Sequence, residues 1–240
     1  MGTDRAAADR GAGSEAGGRG AQKGQPKRQK VALLIPALNR PQNVEPLVRS
    51  ALDNTPDCRV VFICDWKDAV THKAARAANA DVYGHSGRYS EKINRAVRYV
   101  TEPYVFLGAD DLRFHPGWFE AAEAKMVGPV QVVGTNDLGN PRVVAGQHST
   151  HFLVKTRYAD EGTIDGGPGL LHEGYIHNFV DDEFLGTATK RGVYAMALDS
   201  IVEHLHPDWG KAPDDEVYAI GKRTFEQDRL HWRHRHLLWS

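Results

Sequence analysis

Three short apolar runs constrain the fold more than any other feature of the chain: Val31-Ala-Leu-Leu-Ile35, Arg59-Val-Val-Phe-Ile-Cys-Asp65 and Tyr104-Val-Phe-Leu107. Each is too short for a buried helix. Each is also too continuously apolar for a strand with one wet face, so each reads as a strand covered on both sides. The segments between them carry helical spacing. Val44, Leu47, Val48, Ala51 and Leu52 recur along one face after Pro41, an alanine-rich stretch runs from Asp68 to Ala80, and Ile93, Ala96, Val97 and Val100 form a third face. A short strand, Asp81-Val-Tyr-Gly84, separates the last two. Strand–helix alternation this regular predicts an α/β fold with a mostly parallel sheet and helices on both faces.

In such sheets ligands bind beyond the carboxyl ends of the strands. Asn39, Asp65 and Asp110 stand at three successive strand ends. Asp110 and Asp111 are adjacent acids closing a buried strand, an arrangement costly to desolvate without a positive partner. A divalent cation beside a phosphorylated ligand is one such partner; a solvated, capped turn is the other reading of these two residues alone.

The second half is less regular. A helix is expected from Pro116 to Val127 and a strand at Val130-Gln-Val-Val133, followed by short strands at Val143–Ala145 and His151–Val154. Gly162–Gly169 is a glycine-rich loop without lysine, so it is not a phosphate-binding P-loop. It reads equally as a mobile substrate-side loop or a plain connection. Asp181, Asp182 and Glu183 open a helix running to about Arg191, where carboxylates are also favoured by the helix dipole alone. Val193–Ala197 and Ser200–Val202 are strand-like, and His204 and His206, two apart, point to the same side of a strand.

Composition sets the outer limits. The first 30 residues hold seven Lys/Arg against three Asp/Glu and none of Val, Ile, Leu, Phe, Tyr or Trp, so they are expected to be a disordered tail. The remaining 210 residues sum to a charge of −5, which marks no general nucleic-acid binder. Cys58 and Cys64 form no disulfide framework, and no signal sequence or membrane span is read, so a cytoplasmic location is expected. Lys222–Ser240 is basic and aromatic. It is expected to pack Leu230, Trp232, Leu237 and Leu238 on the body, with docking on an anionic partner as the alternative.

Taken in order, these pieces resemble the family 2 glycosyltransferases of the GT-A fold. Val31–Arg40 is similar to the family's first strand with its Pro-x-x-Asn-Arg loop, and Asp65 to its strand-end acid. Glu91–Val97 resembles the helix carrying an Asn. Phe106–Trp118 resembles the D-x-D segment with its Pro-Gly-Trp, and Phe179–Gly192 the acid helix. Two positions depart: Gly108 stands where the first Asp of D-x-D is usual, and Val180 where the acid helix usually has Glu.

The resemblance implies a GT-A-like domain over 31–221, with a nucleotide-sugar half (31–135), an acceptor half (136–221) and a separate segment at 222–240. It implies metal-dependent, inverting sugar transfer from a nucleotide-diphosphate sugar. Pro36, Ala37, Asn39, Arg40, Asp65, Lys92, Asn94 and Asp110 are then expected at the nucleotide sugar. Asp110, Asp111 and His206 or His204 are expected at Mn²⁺ or Mg²⁺, and Asp181 as base with Asp182 as runner-up. The acceptor stays open among a glycan, a lipid-linked molecule, a protein and a modified DNA base, with weak anionic contact through the basic tails. A nucleotidyltransferase is a rival, although it usually needs a glycine- and basic-rich loop where Pro36-Ala-Leu-Asn39 stands. A non-catalytic nucleotide- or partner-binding relative is the other, kept open by Gly108 and Val180.

Overall fold

The structure is a computed structural model that describes residues 29–240. The tail expected to be disordered therefore lies almost wholly outside the described residues. The three apolar runs and the short strand of the first half become strands β1 (Val31–Ala37), β2 (Cys58–Cys64), β3 (Asp81–Gly84) and β4 (Tyr104–Leu107). Helices α1 (Pro41–Asn54), α2 (Ala69–Ala77) and α3 (Tyr89–Val97) alternate with them. The remaining elements are β5 (Leu112–Phe114), α4 (Trp118–Ala124), β6 (Val132–Asn136), α5 (Pro141–Val144), β7 (Phe152–Lys155), α6 (Val180–Lys190), β8 (Tyr194–His204) and α7 (Glu216–His236).

Among the described residues the strands form one sheet in the order β3-β2-β1-β4-β7-β6-β8-β5. The first four are parallel. β7 runs antiparallel between β4 and β6, β8 lies parallel to β6, and β5 closes the edge antiparallel to β8. Side-chain alternation splits the core in two, as a two-residue period requires. Leu33, Ile35, Phe62 and Phe106 pack on the side of α1, α2 and α4. Leu34, Ile63, Val105 and Leu107 pack on the side of α3 and α6. Burying both faces is what keeps these strands apolar throughout.

Several expectations from the sequence shift. Val143–Ala145 is not a strand: Asn140 accepts from the Arg142 N–H and Pro141 takes the first helical position, so the segment turns into α5. Val193–Ala197 and Ser200–Val202 fuse into β8, whose pairing with β6 is interrupted by a bulge at Thr135/Asn136. The turn after Asp111 contains a strand the apolar pattern hid, because only Leu112 and Phe114 face inward. The helix expected from Pro116 begins at Trp118, after Gly117 at φ +77°, a conformation that favours glycine. The glycine-rich loop is an anchored connection: the Arg191 guanidinium donates to the carbonyls of Glu161, Gly162 and Thr163.

The C-terminal segment packs as a helix, but of the four apolar residues expected to carry the packing only Trp232 does so. Trp232 packs on the core, while Leu230 and Leu237 are 54% and 76% exposed. α7 also runs unbroken through position 222. It is tied to the body by polar contacts instead. Asp228 accepts the backbone N–H groups of Ile176, His177 and Asn178, and Arg235 forms a fork with the buried Glu183 at 2.6 and 2.7 Å. Among the described residues no helix is long and apolar enough to cross a membrane.

Candidate active site

A cleft of about 760 Å³ opens at the carboxyl ends of β1 and β4. One wall is the turn after β4. There the backbone leaves the sheet over an aromatic base of Phe106, Phe114 and Trp118, with ring centroids 4.9–5.4 Å apart. Trp118 is fully buried and donates its indole N–H to Thr55 Oγ1 at 2.7 Å. This base fixes Asp110 and Asp111 at the cleft wall, where they are 4% and 5% exposed.

Gly108 is explained by the same packing. A Cβ there would meet Ile35 Cδ1 at 2.7 Å, so any side chain would require the Ile35 side chain to shift.

The acid pair shares one guanidinium. Arg40 Nη1 stands 3.0 Å from Asp110 Oδ1 and 3.4 Å from Asp111 Oδ2, while its Nε and Nη2 fork onto Asp215 at 2.7 Å each. Asp215 caps α7, and one turn on Tyr218 lies beneath the guanidinium, 4.1 Å from its ring centre. The Tyr218 hydroxyl donates to Asp111 Oδ2 at 2.7 Å. Three carboxylates thus draw on one arginine. Burial, then repulsion from Asp111, pushes Asp110 above the usual carboxylate range despite Arg40. Burial also acts to raise Asp111, but the charge of His204 and the hydrogen bond from Tyr218 hold it below that range.

Asp111 Oδ1 is buried and has no hydrogen-bond donor among the described residues, although His204 Nε2 stands 3.2 Å away. Buried carboxylate oxygens short of positive charge, with an imidazole beside them, fit a hard divalent cation such as Mn²⁺ or Mg²⁺. His204, not His206, faces the acids. His206 Nδ1 accepts the Asp208 N–H to cap the turn at Pro207–Trp209, which draws its ring aside onto Tyr218.

The second acid pair lines the same cleft from the start of α6. Phe179, at φ +67°, leads into α6 and presents Asp181 and Asp182 to the cleft. Asp181 Oδ2 stands 3.1 Å from His148 Nε2, and its Oδ1 accepts the Asp182 N–H. Arg142 reaches Asp182 at 3.1 Å. Burial would raise Asp181, but the hydrogen bond and charge of His148 outweigh it and hold the carboxyl low. Asp182 is pushed up, by burial and by Asp181. One ligand atom from each of His148, Asp181 and Asp182 lies within 4.8 Å of the others, and Arg142 stands beside Asp182.

The other residues singled out from the sequence divide. Pro36, Ala37, Arg40 and Lys92 line the cleft. The buried Lys92 donates to Ala37 O at 2.9 Å, and burial lowers its pKa. Asn39, Asp65 and Asn94 do not form its wall. Asn39 sits at φ +54° and donates its N–H to Asp68. Asp65 accepts the Lys67 N–H. Asn94 clamps the backbone of Leu171, donating to its carbonyl and accepting its N–H. Sequence reasoning missed His148, Arg142, Asp215 and Tyr218. Asp215 alone left a signal, as an acid at a helix N-cap position.

The sequence matches the family described as Glycosyl transferase family 2 over residues 32–183. No curated protein matches by sequence. Among solved structures, glucosyl-3-phosphoglycerate synthase from Mycobacterium tuberculosis, in complex with Mn²⁺, UDP and glucosyl-3-phosphoglycerate, is similar at a TM-score of 0.58 and 14% identity, over 82% of this chain and 77% of that one. The mannosyltransferase PcManGT from Pyrobaculum calidifontis, in complex with GDP-Man and Mn²⁺, is similar at 0.61 and 16% identity, over 80% of this chain and 60% of that one. At these identities the likeness shows the fold, and it agrees with the GT-A arrangement of strands and cleft described above. The match over residues 32–183, more than half of the chain, shows that this protein belongs to glycosyl transferase family 2.

Proposed function

We propose that the protein transfers a sugar from a nucleotide-diphosphate sugar to an acceptor hydroxyl, with a divalent cation and with inversion at the anomeric carbon. The observation that carries this reading is the cleft itself: a buried acid pair that shares its one arginine with Asp215, and a second acid pair at the start of α6, line the same cavity.

Asp110 and Asp111, with His204 at their side, would hold Mn²⁺ or Mg²⁺. When bound, the ion neutralises the leaving diphosphate. The solved structures above contain Mn²⁺ with a nucleotide or nucleotide sugar, which is consistent with this use of the cleft. Pro36 and Ala37 form the nucleotide side, held by Lys92. Asp65 and Asn39 would join them if the loops after β1 and β2 close on the donor.

At the start of α6, Asp181 removes the acceptor proton. The acceptor oxygen attacks the anomeric carbon as the bond to the diphosphate oxygen breaks, and that electron pair leaves with the diphosphate. The proton passes to the Asp181 carboxylate. A single displacement from the face opposite the leaving group inverts the configuration.

The test is incubation with a panel of nucleotide sugars and Mn²⁺ while following release of nucleotide diphosphate, in wild type and Asp110→Asn. Release from one donor, lost in the variant, supports the reading. No release from any donor contradicts it.

A further inference from the structure

His148 has no part in the family pattern read from the sequence, yet its ring stands within hydrogen-bond distance of the proposed base. It lies between α5 and β7 and is 2% exposed. Its Nε2 is 3.1 Å from Asp181 Oδ2. Its Nδ1 is buried without a hydrogen-bond partner among the described residues and stands 3.9 Å from Asp182 Oδ1. We propose that His148 is the positioning residue of the transfer base, fixing the Asp181 carboxylate toward the acceptor and setting the pH range over which it is charged. This rests on the reading of Asp181 as base.

The chemistry follows from the two ring nitrogens. A carboxylate only accepts, so Nε2 must carry a hydrogen and donate it to Asp181. In the neutral ring, Nδ1 would then turn a bare lone pair toward the Asp182 carboxylate. Protonation replaces that repulsion with an N–H facing an acid. The groups around the ring are Asp181 and Asp182 from α6, Arg142 from α5, His151 ahead of β7 and Tyr89 from α3 near Asp181. Burial works against a charge on His148, and Arg142 opposes it. The hydrogen bond and charge of Asp181, with the charge of Asp182, prevail and raise its pKa.

The imidazolium in turn keeps Asp181 ionised to lower pH. With Oδ2 held by His148 and Oδ1 by the Asp182 N–H, the carboxylate has one orientation when the acceptor arrives. Pre-set orientation of this kind is where a displacement of about 1 Å can cost roughly 100-fold in rate.

Two variants separate orientation from charge. Gln can present an N–H near the Nε2 position without a charge; Ala presents neither. His148→Ala is expected to lower kcat roughly 100-fold with unchanged affinity for nucleotide diphosphate. His148→Gln is expected to recover most of that loss, with the acid limb of kcat displaced upward by about one pH unit because the cation is gone. Wild-type kcat in His148→Ala overturns the proposal. So does an equal fall in both variants with the acid limb unmoved, since a merely structural residue would give that.

A readout independent of turnover is the NMR titration of the His148 ring. It is expected to shift to lower pH in Asp181→Asn, and an unchanged titration overturns the pairing. If the wild type transfers from no donor, the transfer reading fails, and the titration still decides the pair.

Discussion

Arg40 Nη1 lies 3.0 Å from Asp110 Oδ1, and the two side chains are 5% and 6% exposed. This buried pair joins the loop after β1 to the acid turn after β4, and through Asp215 to the start of α7. Removing one partner of such a pair leaves an uncompensated charge, which costs about 3–5 kcal/mol. Arg40→Ala is therefore expected to lose stability on that scale. Mn²⁺ is expected to restore part of it by supplying positive charge to Asp110 and Asp111. Denaturant unfolding with and without Mn²⁺ measures both. A variant that gains no more from Mn²⁺ than wild type would remove the cation from this pair.

Asp181→Asn keeps the shape of the side chain and one of its two acceptor oxygens while removing its charge and basicity. Turnover is expected to fall about 10²–10⁴-fold, the usual worth of a positioned base. Binding of nucleotide diphosphate, measured by calorimetry, is expected to be unchanged. Equal kcat in this variant would move the base elsewhere, with Asp182 first in line because its raised pKa suits proton uptake.

Gly108→Asp would reinstate the carboxylate usual at that position in D-x-D. Ile35 Cδ1, 2.7 Å from the new Cβ, makes it an overpacking change costing about 1–3 kcal/mol. Ile35→Ala in the same chain is expected to recover part of that loss. Thermal unfolding of the two single variants and the double variant gives the coupling. Additive losses would mean the two positions do not clash.

Asp228 on α7 accepts three backbone N–H groups of the loop that leads into α6. Burial raises its pKa, but these bonds outweigh it and hold it below the usual carboxylate value. A depressed carboxyl contributes stability above its unfolded pKa, near 3.9, and that contribution is lost as pH falls through the lower folded value. Asp228→Asn is expected to cost about 1–3 kcal/mol at pH 7. The gap from wild type narrows as acidification passes pH 4. Melting temperatures of both proteins across that range check the sign; a gap that widens toward low pH contradicts it.

The half of the fold legible from sequence is the half whose strands follow one another in space. β1, β2 and β4 are buried on both faces, so each shows as a near-continuous apolar run ended by a polar loop. β5 was hidden because three residues paired on one side carry too little pattern. Asp110, Asp111, Asp181 and Asp182 were legible because each pair follows an element boundary. Their partners were not. His148 reaches Asp181 across 33 positions, and Asp215 reaches Arg40 across 175. Such pairings arise from tertiary packing and leave no local period. Asn94 shows the converse. Its position in α3 suggested a ligand contact, and the structure commits both ends of its amide to Leu171.

The most direct test of sugar transfer at this cleft is release of nucleotide diphosphate from a panel of nucleotide sugars, each with Mn²⁺ and then with excess chelator. The predicted result is hydrolysis or transfer from one donor class, suppressed by chelator and by Asp110→Asn. Release that continues in full with chelator would remove the cation from the mechanism. The absence of release from every donor, with the protein folded and Mn²⁺ present, would contradict sugar transfer altogether.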